Sequence, residues 1–251
     1  MEAKVTAKTR YGLIDGLRGL ALVNMVIYHF CFDIFSVYGL QPRWTLSPAA
    51  VVWERFICFS FILVAGASLN FSRRSAVRGL IISGAGVLMT VVTLAVLPDF
   101  VIWFGVLTCI GASVLLTQAL RSVLERLSPF VGAAVSLALF LLAYNVPNGY
   151  LGCFTARLPP LPEWLYQNYL TAFFGFPPRG FYSSDYFPLL PWLFLFLLGF
   201  FLWRVIVRLR AERFFIRPIP LLSRIGKHTL LIYLLHQPVL MGICFCIFGH
   251  F

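Results

Sequence analysis

The sequence predicts an all-α integral membrane protein: one domain over residues 1–251, a bundle of about seven transmembrane helices, N-terminus cytoplasmic and C-terminus outside. Three observations carry this expectation. Of 251 residues, 60% are hydrophobic and only 12% charged, whereas a soluble domain is about half apolar and roughly a quarter charged. Apolar runs of about 20 residues, enough to cross a bilayer as a helix, recur along the whole chain. Basic residues, which produce a net charge of +11, gather in alternate connections between those runs.

Seven segments have the required length: 12–36, 51–71, 78–97, 101–119, 129–146, 187–207 and 228–249. Lipid forces them to be helices, because an open strand edge would leave backbone groups unpaired in hydrocarbon. Leu97-Pro98-Asp99-Phe100 predicts a tight turn between the third and fourth, since Pro98 cannot continue a helix. Gly66, Gly84 and Gly86 are expected at close helix contacts rather than in phosphate loops. The first apolar run is too long for a cleavable signal peptide, and it carries Asp15, Arg18, His29 and Asp33.

Orientation follows from the connections. One set holds Lys4, Lys8, Arg10, Arg73, Arg74, Arg78, Arg121, Arg126, Arg204, Arg208, Arg210, Arg213, Arg217, Arg224 and Lys227. The other holds only Arg43, Arg157 and Arg179; fifteen against three places the first set in the cytoplasm. The charge therefore reads as a topology signal, and no nucleic-acid partner is expected. The basic connection 204–227 admits two compatible readings, contact with anionic lipid or a dock for a phosphorylated ligand. Residues 147–186 form a long external loop, open between a lid over a cavity and a solvated linker. Of the six cysteines only Cys153 lies in a loop, so neither a disulfide pair nor a zinc spacing is evident.

Ionisable groups are costly in a bilayer and usually face the bundle interior, where they have a function. At about 100° per residue, with Asp15 as zero, Arg18 falls at about −60°, His29 at about −40° and Asp33 back at about 0°. All four share an arc of about 60°, which predicts a polar groove through the membrane. Arg18 and His29 are eleven residues apart, or roughly 16 Å along the axis. A ligand held by its phosphates near Arg18 reaches His29 only through a long, thin arm, the shape of coenzyme A with its thioester at the tip.

Each position also has a plainer reading. Arg18 can simply pair with Asp15 at i,i+3, His29 can be a hydrogen-bonded packing residue, and Asp33 a boundary residue. Taken together, the set favours chemistry. His29 is the residue suited to accept a proton near neutral pH, with Asp33 at i+4 fixing its tautomer. No nucleophile elbow is present, so direct attack of an acceptor on the thioester is simpler than a covalent intermediate. Glu54 and Arg55, one turn inside the second helix, either meet the His29 level or anchor the interface. His236 and Gln237, beside Pro238 in the last helix, are ligand contacts or helix–helix hydrogen bonders.

The stretch Leu13-Ile14-Asp15-Gly16-Leu17-Arg18-Gly19-Leu20-Ala21-Leu22, running on to His29-Phe30-Cys31-Phe32-Asp33, resembles the opening helix of the heparan-alpha-glucosaminide N-acetyltransferase catalytic-domain family. Asp185-Tyr186-Phe187-Pro188-Leu189-Leu190-Pro191-Trp192 is similar to another family segment, as is Ile225-Gly226-Lys227-His228-Thr229 continuing to His236-Gln237-Pro238. The spacing Arg18 to His29 also resembles the signature of acyltransferase family 3. The chain looks like a short bacterial-type member. It departs from the lysosomal pattern, which looks to have Asn at the place of His29 and a functional His in the following loop; residues 37–50 here contain no His.

The resemblance implies transfer of an acyl group, acetyl before others, from cytoplasmic acyl-CoA to a sugar or glycan hydroxyl or amine across the membrane. Its arginine is associated with the donor and its histidine with catalysis. The expected site is therefore His29 and Asp33 for chemistry, and Asp15, Arg18, Arg224 and Lys227 for acetyl-CoA. Glu54, Arg55, Asp185, Trp192, His236 and Gln237 are the expected substrate contacts. No metal is expected. The partners are the lipid bilayer, acyl-CoA and a carbohydrate, in a bacterial cytoplasmic membrane; a homo-oligomer is left open. The competing reading is a small-solute or proton-coupled transporter using the same stripe, and the absence of internal repeats weighs against it.

Overall fold

The computed structural model describes residues 10–249; Lys4, Lys8 and His250 lie outside them. The described residues are helical, with no strand beyond one isolated bridge between Tyr150 and Pro160. The helices run in the order α1 (Gly12–Phe32), α2 (Pro48–Leu69), α3 (Ser75–Val96), α4 (Val106–Ala119) and α5 (Arg121–Leu124). They continue with α6 (Pro129–Ala143), α7 (Tyr169–Phe174), α8 (Leu189–Arg208), α9 (Pro220–Lys227) and α10 (Thr229–Phe248).

Six helical segments among the described residues are long and apolar enough to cross a membrane. The segment expected at 101–119 differs from the reading above. Residues 101–105 are non-helical and α4 has 14 residues, about 21 Å of helix against a hydrocarbon core of about 30 Å. Pro98–Phe100 forms the expected turn as a single 3₁₀ turn.

The chain divides into two compact units, one of residues up to Ser60 and from Ile206 on, the other Phe61–Val205. In the first, α1 and α9 pack backbone to backbone. A side chain at Gly19 would strike the Leu222 carbonyl, and one at Gly226 the Asp15 carbonyl. Only residues without a Cβ allow this approach. Ser223 Oγ donates to the Gly12 carbonyl at 2.7 Å and accepts from the Ile219 amide at 3.0 Å, which fixes the start of α9 on the start of α1.

In the second unit α3 and α4 meet where Gly86 lies against Thr108 and Gly111 against Ser83. Gly66 approaches the Phe196 carbonyl, and Gly199 the Leu63 carbonyl. Gly66 and Gly86 are thus close contacts as expected. Gly84 is not: nothing lies within 4 Å of where its Cβ would be. Phe196, Phe200 and Phe201 are enclosed in the apolar interior. Arg204 donates to the Leu124 and Glu125 carbonyls, both at 2.9 Å, satisfying acceptors that the end of α5 leaves unpaired.

The long loop is held to its own unit rather than free. Tyr166 Oη donates to the Val146 carbonyl at 2.5 Å and Tyr186 Oη to the Ala172 carbonyl at 2.6 Å. Asn168 and Thr171 form a reciprocal cap at the start of α7.

Candidate functional site

Two polar clusters lie on α1 in the first unit. The lower one is built on Asp15, which is buried at 8% exposure. Its Oδ1 accepts from Arg18 Nη1 at 3.0 Å, and its Oδ2 accepts from Arg10 Nε at 2.8 Å. Arg18 Nη1 also lies 3.4 Å from the Gly226 carbonyl on α9. The i,i+3 pairing of Arg18 with Asp15 is therefore real, and it leaves the guanidinium beside the last turn of α9. Arg224 and Lys227 are exposed on that turn. The close packing of Gly19 and Gly226 sets α9, the helix that carries both cations, directly on α1.

The upper cluster joins α1 to α10. At Asp33 the α-helix passes into a π-helical turn, Asp33–Val37, a local geometry often found at functional sites. Asp33 is fully enclosed at 0% exposure, and its Oδ1 accepts from Gln237 Nε2 at 2.7 Å. The expected hydrogen bond between Asp33 and His29 does not form. Two helices compete for the carboxylate, and the amide on α10 takes it. His29 instead meets the ring of His236, edge to face, with centroids 5.0 Å apart. The rings of Tyr28 and Phe32 flank it.

His236 is buried, and its Nδ1 lies 2.6 Å from the Tyr233 carbonyl one turn back. A carbonyl oxygen only accepts, so Nδ1 carries the hydrogen and Nε2 the lone pair. That Nε2 has no hydrogen-bond partner among the described residues, and neither do the buried Asp33 Oδ2 and Gln237 Oε1. Three acceptor atoms, one on each of three side chains, thus await a donor. Buried polar atoms are ordinarily satisfied, and exceptions call for a ligand, a water or a catalytic use.

Glu54 and Arg55 are half-buried on α2. The preceding residue, Trp53, donates from Nε1 to Asn24 Oδ1 at 3.0 Å and stacks edge-on with Tyr28 at 5.6 Å. This places their turn of α2 beside the turn of α1 that precedes His29.

Asp185 and Trp192 belong to the second unit. Asp185 Oδ2 accepts from the Val106 amide at 3.1 Å, capping α4 from outside the helix. Trp192 is buried among Phe140, Tyr144 and Phe187. Both have a packing role there that their sequence motif does not disclose.

Sequence reasoning did not find Arg10 as a second partner of Asp15, the Gly19–Gly226 approach, or the tautomer of His236. Of these the helix approach carries a legible signal, since Gly12, Gly16 and Gly19 repeat at helical spacing on one face of α1.

Long apolar helices with ionisable side chains turned onto one another define an integral membrane protein with an internal polar site. The family model for heparan-alpha-glucosaminide N-acetyltransferase, catalytic, matches residues 10–238. The chain belongs to this family of membrane N-acetyltransferases. No curated protein and no solved structure matches it.

Proposed function

We propose that the protein transfers an acyl group, acetyl first, from acyl-CoA on the cytoplasmic side to a hydroxyl or amine of a carbohydrate on the other side. The observation that supports this best is the pairing of two sites on one helix of an acetyltransferase family member. A cationic cluster around Arg18 and an acceptor-rich cluster around His29 lie eleven residues apart, roughly 16 Å.

Arg18, with Arg224 and Lys227, holds the phosphates of the donor. Asp15 orients the guanidinium, which matches phosphate by its planar fork. The pantetheine arm runs along α1 and delivers the thioester to His29. An imidazole of the His29–His236 pair takes the proton as the acceptor attacks the carbonyl carbon and the C–S bond breaks. Asp33 acts as a positioning residue through Gln237, tying the π-helical turn to α10. Glu54 and Arg55 face the acceptor.

The membrane topology belongs to the same reading. Fifteen basic residues against three in alternate connections put the start of α1 in the cytoplasm and residues 147–186 outside. That alternation requires the segment of residues 101–119 to complete a seventh crossing. Its non-helical residues are tolerated at membrane depth where protein covers them, and Val101 and most of α4 are buried.

The test is release of CoA thiol from acetyl-CoA by the purified protein, with glucosamine as first acceptor. Turnover is expected, and His29→Ala should abolish it while acetyl-CoA binding persists. Full turnover in that variant would remove His29 from the mechanism.

A further inference from the structure

Sequence position singles out His29 as the base, yet the hydrogen bonds distinguish the two imidazoles differently. A catalytic imidazole needs one nitrogen held as a donor so that the other presents its lone pair to the reacting proton. His236 meets this requirement. Its Nδ1–H is held by the Tyr233 carbonyl at 2.6 Å, and its Nε2 is buried with no partner among the described residues. His29 has no such partner among the described residues: Asp33, a turn away, is bonded to Gln237. The ring contacts of His29 with Tyr28, Phe32 and His236 position it without selecting a tautomer.

The remaining unpaired atoms make the same point. Gln237 Oε1 and Asp33 Oδ2 are acceptors, like His236 Nε2. An acceptor-only set binds a group that brings hydrogens. A hydroxyl or amine does so; an acyl carbonyl does not. Such a group fits among His236 and Gln237 on α10 and Asp33 at the end of α1.

We propose that His236 Nε2 is the base of the reaction, and that Asp33 Oδ2 and Gln237 Oε1 hold the remaining hydrogens of the attacking group. This rests on the acyltransferase reading. The acceptor's O–H or N–H proton passes to His236 Nε2 as its heteroatom bonds to the carbonyl carbon. The C–S bond breaks, the thiolate of CoA leaves, and Nε2 returns the proton to sulfur. His236 ends neutral, and the products are the acylated acceptor and CoA thiol.

Two measurements test this. The first needs no acceptor: nitrogen NMR of the protein labelled with ¹⁵N-histidine, with the His236 signals assigned by their loss in His236→Asn. A neutral ring with hydrogen on Nδ1 and none on Nε2 is expected; hydrogen on Nε2 would overturn the proposal whatever the enzyme does. The second is kinetic, with acetyl-CoA and glucosamine. His236→Asn keeps an N–H that reaches the Tyr233 carbonyl but has no basic nitrogen. Its kcat should fall about 10²–10⁴-fold, the usual range for a lost general base, with the KM for acetyl-CoA within about twofold. Unchanged kcat in this variant would return the base to His29. Absence of CoA release by the unaltered protein would instead strike the acyltransferase reading, and the NMR result would still decide the tautomer.

Discussion

Asp33 sits at 0% exposure with one oxygen on Gln237 and the other without a partner among the described residues. That bond joins residues 204 positions apart in sequence, so nothing on α1 alone announces it. The helical wheel places Asp33 on the polar arc with His29 but cannot say which neighbour claims the carboxylate. Burial makes the choice consequential, because a buried polar group stripped of its partner costs about 1–3 kcal/mol. Gln237→Leu should therefore lower stability by about that amount and slow turnover, read as the thermal midpoint in detergent and as kcat. An unchanged midpoint would mean that the Asp33–Gln237 bond does not hold α1 to α10. The Asp15–Arg18 pair, by contrast, was fully legible: i,i+3 spacing on a helix brings such groups together. Arg10 and the Gly226 carbonyl complete that cluster and needed the folded chain to appear.

At the scale of elements, the glycines show what spacing can and cannot establish. Gly66 and Gly86 lie against neighbouring backbone or side chain, while Gly84, two residues from Gly86, faces open space. The direction a glycine faces depends on where the partner helix lies, which composition does not encode. Gly226 carries the larger consequence, since it lets α9, whose last turn bears Arg224 and Lys227, approach the Asp15 carbonyl on α1. Gly226→Ala should destabilise the protein by about 1–3 kcal/mol and weaken acetyl-CoA binding, measured by calorimetry. Gly84→Ala should be neutral or stabilising by up to about 1 kcal/mol with binding unchanged. Equal effects of the two would separate the α1–α9 contact from donor binding. The short α4 follows similar logic. Hydropathy joins residues 101–105 to the helix because all are apolar or aromatic save Gly105, yet the Asp185 carboxylate captures the Val106 amide and starts the helix there. A partner 79 residues away in sequence leaves no periodic trace.

At the scale of the whole chain, the all-helical membrane architecture was legible from composition and run length alone, since lipid leaves a chain few alternatives. The span count was less so, because one apolar run folds only partly as helix. Family membership over residues 10–238 joins this architecture to acetyl transfer, and the proposed function assigns the donor and the acceptor to the two clusters on α1. The direct measurement is transfer by protein reconstituted in sealed vesicles with its cytoplasmic face outward. Radiolabelled acetyl-CoA is supplied only outside, and glucosamine is sealed only inside. Labelled N-acetylglucosamine should form in the lumen while CoA accumulates outside, and both should stop in His29→Ala. Product that appears only when donor and acceptor share one side, or none at all, would contradict the account.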